Sequence, residues 1–188
     1  MAAGPWQAVA AALALCAAVA SAAQGGPTVP VVPAVPAVPP AGAPAAMALT
    51  LPALDGARFV QLADFSGRPV LLNFWGSECP PCIHEMPLLF ALAPRHPGLQ
   101  FLGIAVDQRA SAARFLARLQ PSYPQLLATS QPEVLLRRFG NKLEALPYSV
   151  VLNARHEVCM TRLGEIDAAW VDGAAAACGA VGAPQPTR

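Results

Sequence analysis

Two predominantly apolar runs stand out along the chain, at residues 70–75 and 99–106. Each is short and bounded by turn residues, which is the pattern of a strand buried on both faces of a sheet. Two further strands are predicted at residues 148–152 and 158–163. Apolar residues at helical spacing predict four helices, at residues 80–93, 111–119, 132–139 and 166–178.

Ahead of these elements, two short strands at residues 49–51 and 58–62 flank Asp55-Gly56, a dipeptide typical of tight hairpin turns. We therefore expect an opening β-hairpin. Strands and helices then alternate, before two adjacent strands and a last helix complete the pattern. This order predicts an α/β fold with a mixed central sheet and helices on both faces.

The composition divides the chain into four parts. Residues 1–23 resemble an export signal, with an uncharged apolar run before a small-residue cleavage site. An uncleaved membrane anchor, or no targeting segment at all, are the alternatives, because no basic residue precedes the run. Residues 24–46, rich in Pro and Ala, predict an extended linker. The folded domain is expected at residues 47–180, followed by a disordered tail at 181–188.

Charge excludes one class of partner. The formal net charge is +1, and only 12% of the residues are charged. Lys142 is the only lysine, so there is no basic tract with which to bind nucleic acid. We expect a monomer whose partners are other proteins.

The residues that carry chemistry lie where the run at 70–75 meets the first predicted helix. Cys79 and Cys82 are separated there by two residues, so they form a dithiol that can close to a disulfide and reopen. Backbone N–H groups at a helix N-terminus favour a thiolate. Cys79 is therefore predicted to attack and Cys82, one turn later, to resolve. Pro80 and Pro81 suit the first helical turn, and the exchange of disulfides needs no organic cofactor.

Two further residues are candidates for this reaction. Glu85 follows Cys82 by three residues and shares its helix face. It is therefore either a proton donor and acceptor for Cys82 or a solvated helix charge. Pro147 opens the strand at 148–152, which by itself is typical of an edge or a turn with a trans peptide bond.

Several motifs together resemble the thioredoxin superfamily, and within it the TlpA/ResA group of exported thiol–disulfide oxidoreductases. The resemblance covers roughly residues 47–178. It rests on Asp55-Gly56, the segment 64–69, Phe74-Trp75, Cys79-x-x-Cys82, Glu85-Met86-Pro87, Val106-Asp107 and Leu146-Pro147. It implies a three-layer thioredoxin-like fold, a periplasmic location, a cis peptide bond at Pro147 facing the dithiol, and an acid role for Glu85 near the active site.

The surface offered to a partner protein is expected around the dithiol, at Trp75, Glu78, Pro80, Pro81, Leu146, Pro147 and Tyr148. Two of these residues depart from the pattern of the group. Glu78 occupies a position where Trp is common, and its carboxylate disfavours a second negative charge on Cys79. Tyr148 occupies a position where a small residue such as Thr is usual, and it is expected to alter the partner groove.

Once the signal is removed four cysteines remain, and two of them, Cys159 and Cys178, fit no motif. They are either small buried apolar residues or, in an oxidising compartment, a structural disulfide, which is our hypothesis. No second ligand pair suits zinc. The dithiol with His84 or Met86 offers soft ligands for copper(I), but helix geometry makes these side chains diverge, so no metal is expected.

The sequence thus predicts an exported oxidoreductase that reduces disulfides of periplasmic proteins, with cytochrome c maturation as one candidate role. A membrane protein would supply its electrons. The reducing direction follows the resemblance and is not selected by any residue. Two alternatives stay open: an oxidase or isomerase that donates disulfides, and a non-catalytic binding or copper-delivery module on the same fold.

Overall fold

The computed structural model describes residues 46–180. The predicted signal peptide and tail, and nearly all of the predicted linker, lie outside these residues. The strands of the described part are β1 (Thr50–Pro52), β2 (Phe59–Gln61), β3 (Val70–Trp75), β4 (Gln100–Ala105), β5 (Gln125–Leu127), β6 (Tyr148–Leu152) and β7 (Val158–Leu163). The helices are α1 (Pro80–Leu92), α2 (Arg109–Leu116), α3 (Pro132–Arg138) and α4 (Ala168–Ala180). Within residues 46–180, none of the helices combines the length and the apolar character needed to cross a membrane.

Strands β3 to β7 form one sheet in the order β5-β4-β3-β6-β7. Strand β3 pairs in parallel with β4 and antiparallel with β6. Strand β4 pairs in parallel with β5, and β6 pairs antiparallel with β7. All six residues of β3 are buried, as expected for a predominantly apolar run at the centre of a sheet. The predicted mixed sheet is confirmed.

The sheet separates two apolar cores. Leu71 and Trp75 of β3 belong to a core shared with α1, α2 and α4, whereas Val70, Leu72 and Phe74 belong to a core shared with α3 and the β1–β2 hairpin. This division follows from the alternation of side chains along a strand. Helices on both faces of the sheet were predicted, and this arrangement is confirmed.

The predicted opening hairpin is also present, as the antiparallel pair β1 and β2. Gly56 lies in its turn with a φ of 78°, a left-handed conformation that favours glycine. The hairpin is attached to the main sheet and to α2. Ala53 forms an isolated antiparallel bridge with Leu126 of β5, and the Arg109 guanidinium donates hydrogen bonds to the carbonyls of Ala53 and Leu54.

Strand β5 was not predicted from the sequence. Its three residues are too few for a periodic pattern, and its conformation depends on its neighbours. It pairs with β4, and the Gln125 side chain lies over Gly103, where a Cβ atom would come within 2.0 Å of Gln125 Oε1. The other differences are shifts of element ends. Helix α2 spans Arg109–Leu116 and not 111–119, α4 begins at Ala168, and β1, β2 and β4 each differ from the predicted range by one residue at each end.

Cys159 and Cys178 are joined by a disulfide in the structure, with a Cα–Cα distance of 5.9 Å. Cys159 lies in β7, which is an edge strand, and Cys178 lies near the end of α4. The bond therefore links the edge of the sheet to the helix that packs on it.

Replacing both Cys159 and Cys178 by serine is expected to lower the free energy of unfolding of the oxidised protein by about 3 kcal/mol. The bond spans a sequence separation of 19, so it restricts the unfolded chain appreciably. Unfolding in urea measures the change. The matched control is the double variant Cys79→Ser, Cys82→Ser, which removes a bond of separation 3 and is expected to lose much less stability. Equal losses in the two variants would contradict the structural role.

Candidate functional site

The connection between β3 and α1 holds the dithiol at the N-terminus of the helix. Cys79 is the N-cap residue, and Pro80 and Pro81 occupy the first helical positions, where a missing N–H group is tolerated. The two sulfurs are bonded, with an S–S distance of 2.01 Å and a Cα–Cα distance of 5.2 Å. The Cys82 N–H donates to Cys79 Sγ at 3.3 Å. The positive end of the helix thus faces the sulfur that is predicted to carry negative charge.

The two cysteines differ in exposure. Cys79 is half-buried, whereas Cys82 is completely buried. A partner can therefore reach the sulfur of Cys79 first. This is the order that the predicted roles require, and the roles themselves stay predictions.

Asp107 holds the connection from the side of β4. Its carboxylate accepts a hydrogen bond from the Ser77 N–H at 2.9 Å and another from the Ser77 hydroxyl. The Val106 N–H donates to the Trp75 carbonyl at 2.8 Å, so the pairing of β3 with β4 continues to the start of the connection. No role was predicted for Asp107. Its position directly after a strand that neighbours β3 was the available signal.

Glu85 is a buried carboxyl group, with only 3% of its surface exposed. Its Oε1 accepts from Asn73 Nδ2 at 2.7 Å, and its Oε2 accepts from the Ile166 N–H at 2.9 Å. Burial raises the pKa of Glu85 above its ordinary value, and these two hydrogen bonds act in the opposite direction. A solvated helix charge, the alternative considered from the sequence, does not fit this burial. Asn73 and Ile166 were not identified as site residues.

The start of β6 lies beside the dithiol. The Leu146–Pro147 peptide bond is cis, and the Pro147 carbonyl accepts from the Gly164 N–H at 2.9 Å. A Cβ atom placed on Gly76 would lie 3.6 Å from Leu146 Cδ1 and 3.9 Å from Cys79 Cβ. Leu146 and Cys79 therefore flank the same glycine, which brings the two predicted parts of the site together.

Trp75 and Tyr148 were expected at the partner surface, but their side chains lie inside the two cores, and that expectation is wrong for them. Trp75 is completely buried, and its Nε1 donates to Gln125 Oε1 at 3.0 Å. Tyr148 is 4% exposed, and its hydroxyl donates to the Phe139 carbonyl at 2.8 Å. Each side chain points into one of the two cores and satisfies its polar atom there, so neither is available to a partner.

The other expected partner residues differ in exposure. Glu78 and Pro80 are exposed, Pro81 and Leu146 are half-buried, and Pro147 is buried. The accessible surface around the dithiol is therefore smaller than the sequence predicted.

The side chains considered as copper(I) ligands diverge. The His84 side chain is exposed, and its Nδ1 lies 2.7 Å from Glu165 Oε2, which raises the pKa of His84. Met86, in contrast, is completely buried in the core. Among residues 46–180, no group of three or more His, Cys, Asp or Glu side chains is placed to hold a metal ion.

Comparison with known proteins places this geometry in a family. Residues 43–161 match the model of the AhpC/TSA family. The thiol-disulfide oxidoreductase ResA of Bacillus thuringiensis subsp. konkukian (strain 97-27) is 29% identical over 115 residues, which are 60% of this chain and 64% of that protein. The chain therefore spans slightly less than two thirds of the length of this curated relative.

Two solved structures share the fold. A thiol:disulfide interchange protein of the thioredoxin family from Chlorobium tepidum TLS is 27% identical, with a TM-score of 0.62, over 72% of this chain and 96% of that one. A secreted thiol-disulfide isomerase from Corynebacterium glutamicum is 25% identical, with a TM-score of 0.63, over 69% and 82% of the two chains. The predicted thioredoxin-like fold is confirmed.

The raised pKa of Glu85 predicts a pH-dependent stability. The folded state favours the protonated carboxyl, so the contribution of Glu85 is fully present below its ordinary pKa of 4.5. It is lost as the pH rises through the higher folded value. Glu85→Gln removes this titration, so the stability of the variant relative to the parent is expected to increase with pH over that window.

Urea unfolding of the oxidised proteins at a series of pH values measures this difference. Glu133→Gln is the matched control, because Glu133 is an exposed residue in the first turn of α3. A stability difference between Glu85→Gln and the parent that stays constant with pH would show that Glu85 titrates as an ordinary carboxyl.

Proposed function

The chain belongs to the AhpC/TSA family and is a TlpA/ResA-like member of the thioredoxin superfamily, and from that premise we propose that it is an exported thiol–disulfide oxidoreductase acting on other proteins. The observation that carries the proposal is the Cys79–Cys82 disulfide at the N-terminus of α1, with Cys79 half-buried beside Leu146. The relatives are named for the same reaction class.

In the reduced protein, the Cys79 thiolate attacks one sulfur of a partner disulfide. A bond forms between Cys79 Sγ and that sulfur, while the second partner sulfur leaves as a thiolate and takes up a proton. Cys82 then attacks Cys79 Sγ and releases the first partner sulfur. Two electrons pass to the partner, and the Cys79–Cys82 disulfide remains.

The second step needs a base inside the protein, because Cys82 is completely buried. Glu85 lies one turn further along the same helix face and is itself buried. A carboxyl with a raised pKa is closer in proton affinity to a thiol than an exposed one. Glu85 therefore accepts the Cys82 proton in this mechanism and returns it in the reverse direction.

Reduction of periplasmic protein disulfides is the preferred direction, with electrons supplied by a membrane protein. Support comes from the resemblance to the TlpA/ResA group and from the signal-like N-terminal sequence, and cytochrome c maturation is one role that fits. Glu78 is exposed beside Cys79, so it is expected to slow attack and to select among partners by charge. The likeness to a secreted thiol-disulfide isomerase favours isomerase activity as the second candidate.

Cys79→Ser is expected to abolish the reduction of a protein disulfide, because no other residue is predicted to attack. Cys82→Ser is expected to accumulate a mixed disulfide between Cys79 and the substrate, which non-reducing gel electrophoresis detects. The control is the double variant Cys159→Ser, Cys178→Ser, which should keep its activity. Equal turnover by the parent and Cys79→Ser would reject the nucleophile and leave the non-catalytic alternative.

The reduction potential of the Cys79–Cys82 pair distinguishes the two directions of electron flow. Equilibration of the mature domain with defined thiol buffers is expected to give a value near or below about −230 mV, which is typical of a reductant. A value near about −120 mV would mark an oxidant and would favour the disulfide-donating alternative.

A further inference from the structure

Asn73 is the one polar side chain among the six residues of β3, and it is completely buried. A buried amide requires hydrogen-bond partners. The antiparallel pairing of β3 with β6 places Ser149 directly opposite Asn73. The sheet therefore fixes both side chains next to each other, in the core that α1 covers.

Both hydrogen-bond partners of the Asn73 side chain contact its amide nitrogen, Nδ2. Its Nδ2 donates to Glu85 Oε1 at 2.7 Å and to Ser149 Oγ at 3.1 Å. Its Oδ1 is buried and has no hydrogen-bond partner among residues 46–180. This arrangement suits an ionised Glu85, which only accepts hydrogen bonds. It leaves an acceptor atom unused.

A protonated Glu85 needs a different arrangement. The Ile166 N–H can only donate, so the Oε2 atom that it contacts at 2.9 Å must remain an acceptor. The proton therefore belongs on Oε1, and the resulting O–H needs an acceptor. A half turn of the Asn73 amide exchanges Nδ2 for Oδ1 and supplies that acceptor at the same place. The Ser149 hydroxyl can follow, because it both donates and accepts.

We propose that Asn73 is a positioning residue whose amide rotates with the protonation of Glu85, donating to the carboxylate and accepting from the carboxylic acid. One proton moves from Cys82 Sγ to Glu85 Oε1 and back, and no electrons move in this step. The proposal rests on the proposed function only for the involvement of Cys82. The rotation itself follows from the contacts of Asn73, Glu85 and Ser149.

Other titratable groups also act on Glu85. Glu165, in the segment after β7, contributes a negative charge and pairs with His84 of α1. Tyr123, before β5, interacts electrostatically with Glu85, and burial raises its pKa, so its hydroxyl stays neutral. Titration of His84 would change the influence of Glu165. A Glu165→Gln background therefore isolates the titration of Glu85.

Nuclear magnetic resonance of the oxidised, isotope-labelled protein in that background tests the rotation. Titration of the Glu85 carboxyl carbon gives its protonation. Nuclear Overhauser contacts from the Asn73 amide protons to the side-chain protons of Ser149 and Glu85 report which end of the amide faces them. These contacts are expected at high pH. They should weaken as the pH falls, with the same midpoint as the Glu85 titration.

Glu85→Gln places a permanent amide donor opposite Asn73, so these contacts are expected to be weak at every pH. Contacts from the Asn73 amide protons that stay constant while Glu85 titrates would overturn the proposal. This measurement needs no substitution of Asn73, so it remains decisive if variants at that position do not fold.

A kinetic test connects the rotation of the Asn73 amide to thiol–disulfide exchange. Asn73→Leu is expected to slow reduction of a small disulfide about tenfold, the effect of about 1.4 kcal/mol, and to flatten its pH dependence. Asn153→Leu is the matched control, because Asn153 Nδ2 also donates to a buried carboxylate, Glu157 Oε2, at 2.7 Å. That pair lies beyond the other end of β6, so its loss should leave the pH profile unchanged.

Equal effects of the two substitutions on the pH profile would reduce Asn73 to a structural role and overturn the proposal. If the parent protein shows no exchange at all, the proposed function fails. The pH-linked contacts of the Asn73 amide would then still support the rotation, so the two failures are distinguishable.

Discussion

The antiparallel pairing of β3 with β6 is the constraint on which the site depends. Because the two strands run in opposite directions, the C-terminal end of β3 and the N-terminal end of β6 lie at the same end of the sheet. The first carries the connection to Cys79, and the second begins directly after the cis peptide bond at Pro147. Because β3 pairs in parallel with β4, Asp107, which follows β4, lies at this same end of the sheet. Sheet topology alone therefore assembles residues that are far apart in sequence.

Burial of the Glu85 carboxyl is the second constraint. An ionised carboxyl without partners is strongly destabilising inside a protein, and here two donors reduce that penalty. One of them, the Ile166 N–H, belongs to the segment that follows β7. Gly164 in the same segment donates to the Pro147 carbonyl. A short piece of backbone thus contacts both the buried acid and the carbonyl of Pro147.

The sequence predicted the parts of the fold that depend on local pattern. The bounds of β6 and β7 agree with the predicted ranges, because apolar and β-branched residues mark them directly. It did not predict β5, whose short strand exists only through β4 and Gly103. It also placed Trp75 and Tyr148 at the surface. A family pattern indicates that a residue is near the dithiol, but burial depends on which face of the sheet its side chain occupies.

The residues of the candidate site were likewise predictable only where they depend on local sequence. The spacing of Cys79, Cys82 and Glu85 along one helix is local, so all three could be chosen as candidates from the sequence. Ile166 lies 81 residues from Glu85 in sequence, and it acts through its backbone N–H, so its side chain gives no signal. Asn73 could be suspected as a lone amide in an apolar strand, but its partners depend on the register of β3 with β6.

The two disulfides illustrate how identical bonds acquire different roles from their surroundings. Each joins a half-buried cysteine to a buried one, so exposure does not distinguish them. Cys79 lies at the N-terminus of a helix, where a thiolate is stabilised, whereas Cys178 lies near the C-terminal end of α4, where it is not. The sequence separations of 3 and 19 mean that the first bond restricts the unfolded chain little and the second restricts it more, so opening the first bond costs less stability. In the proposed reaction, the Cys79–Cys82 bond opens and closes in each cycle while the Cys159–Cys178 bond continues to hold α4 on the sheet.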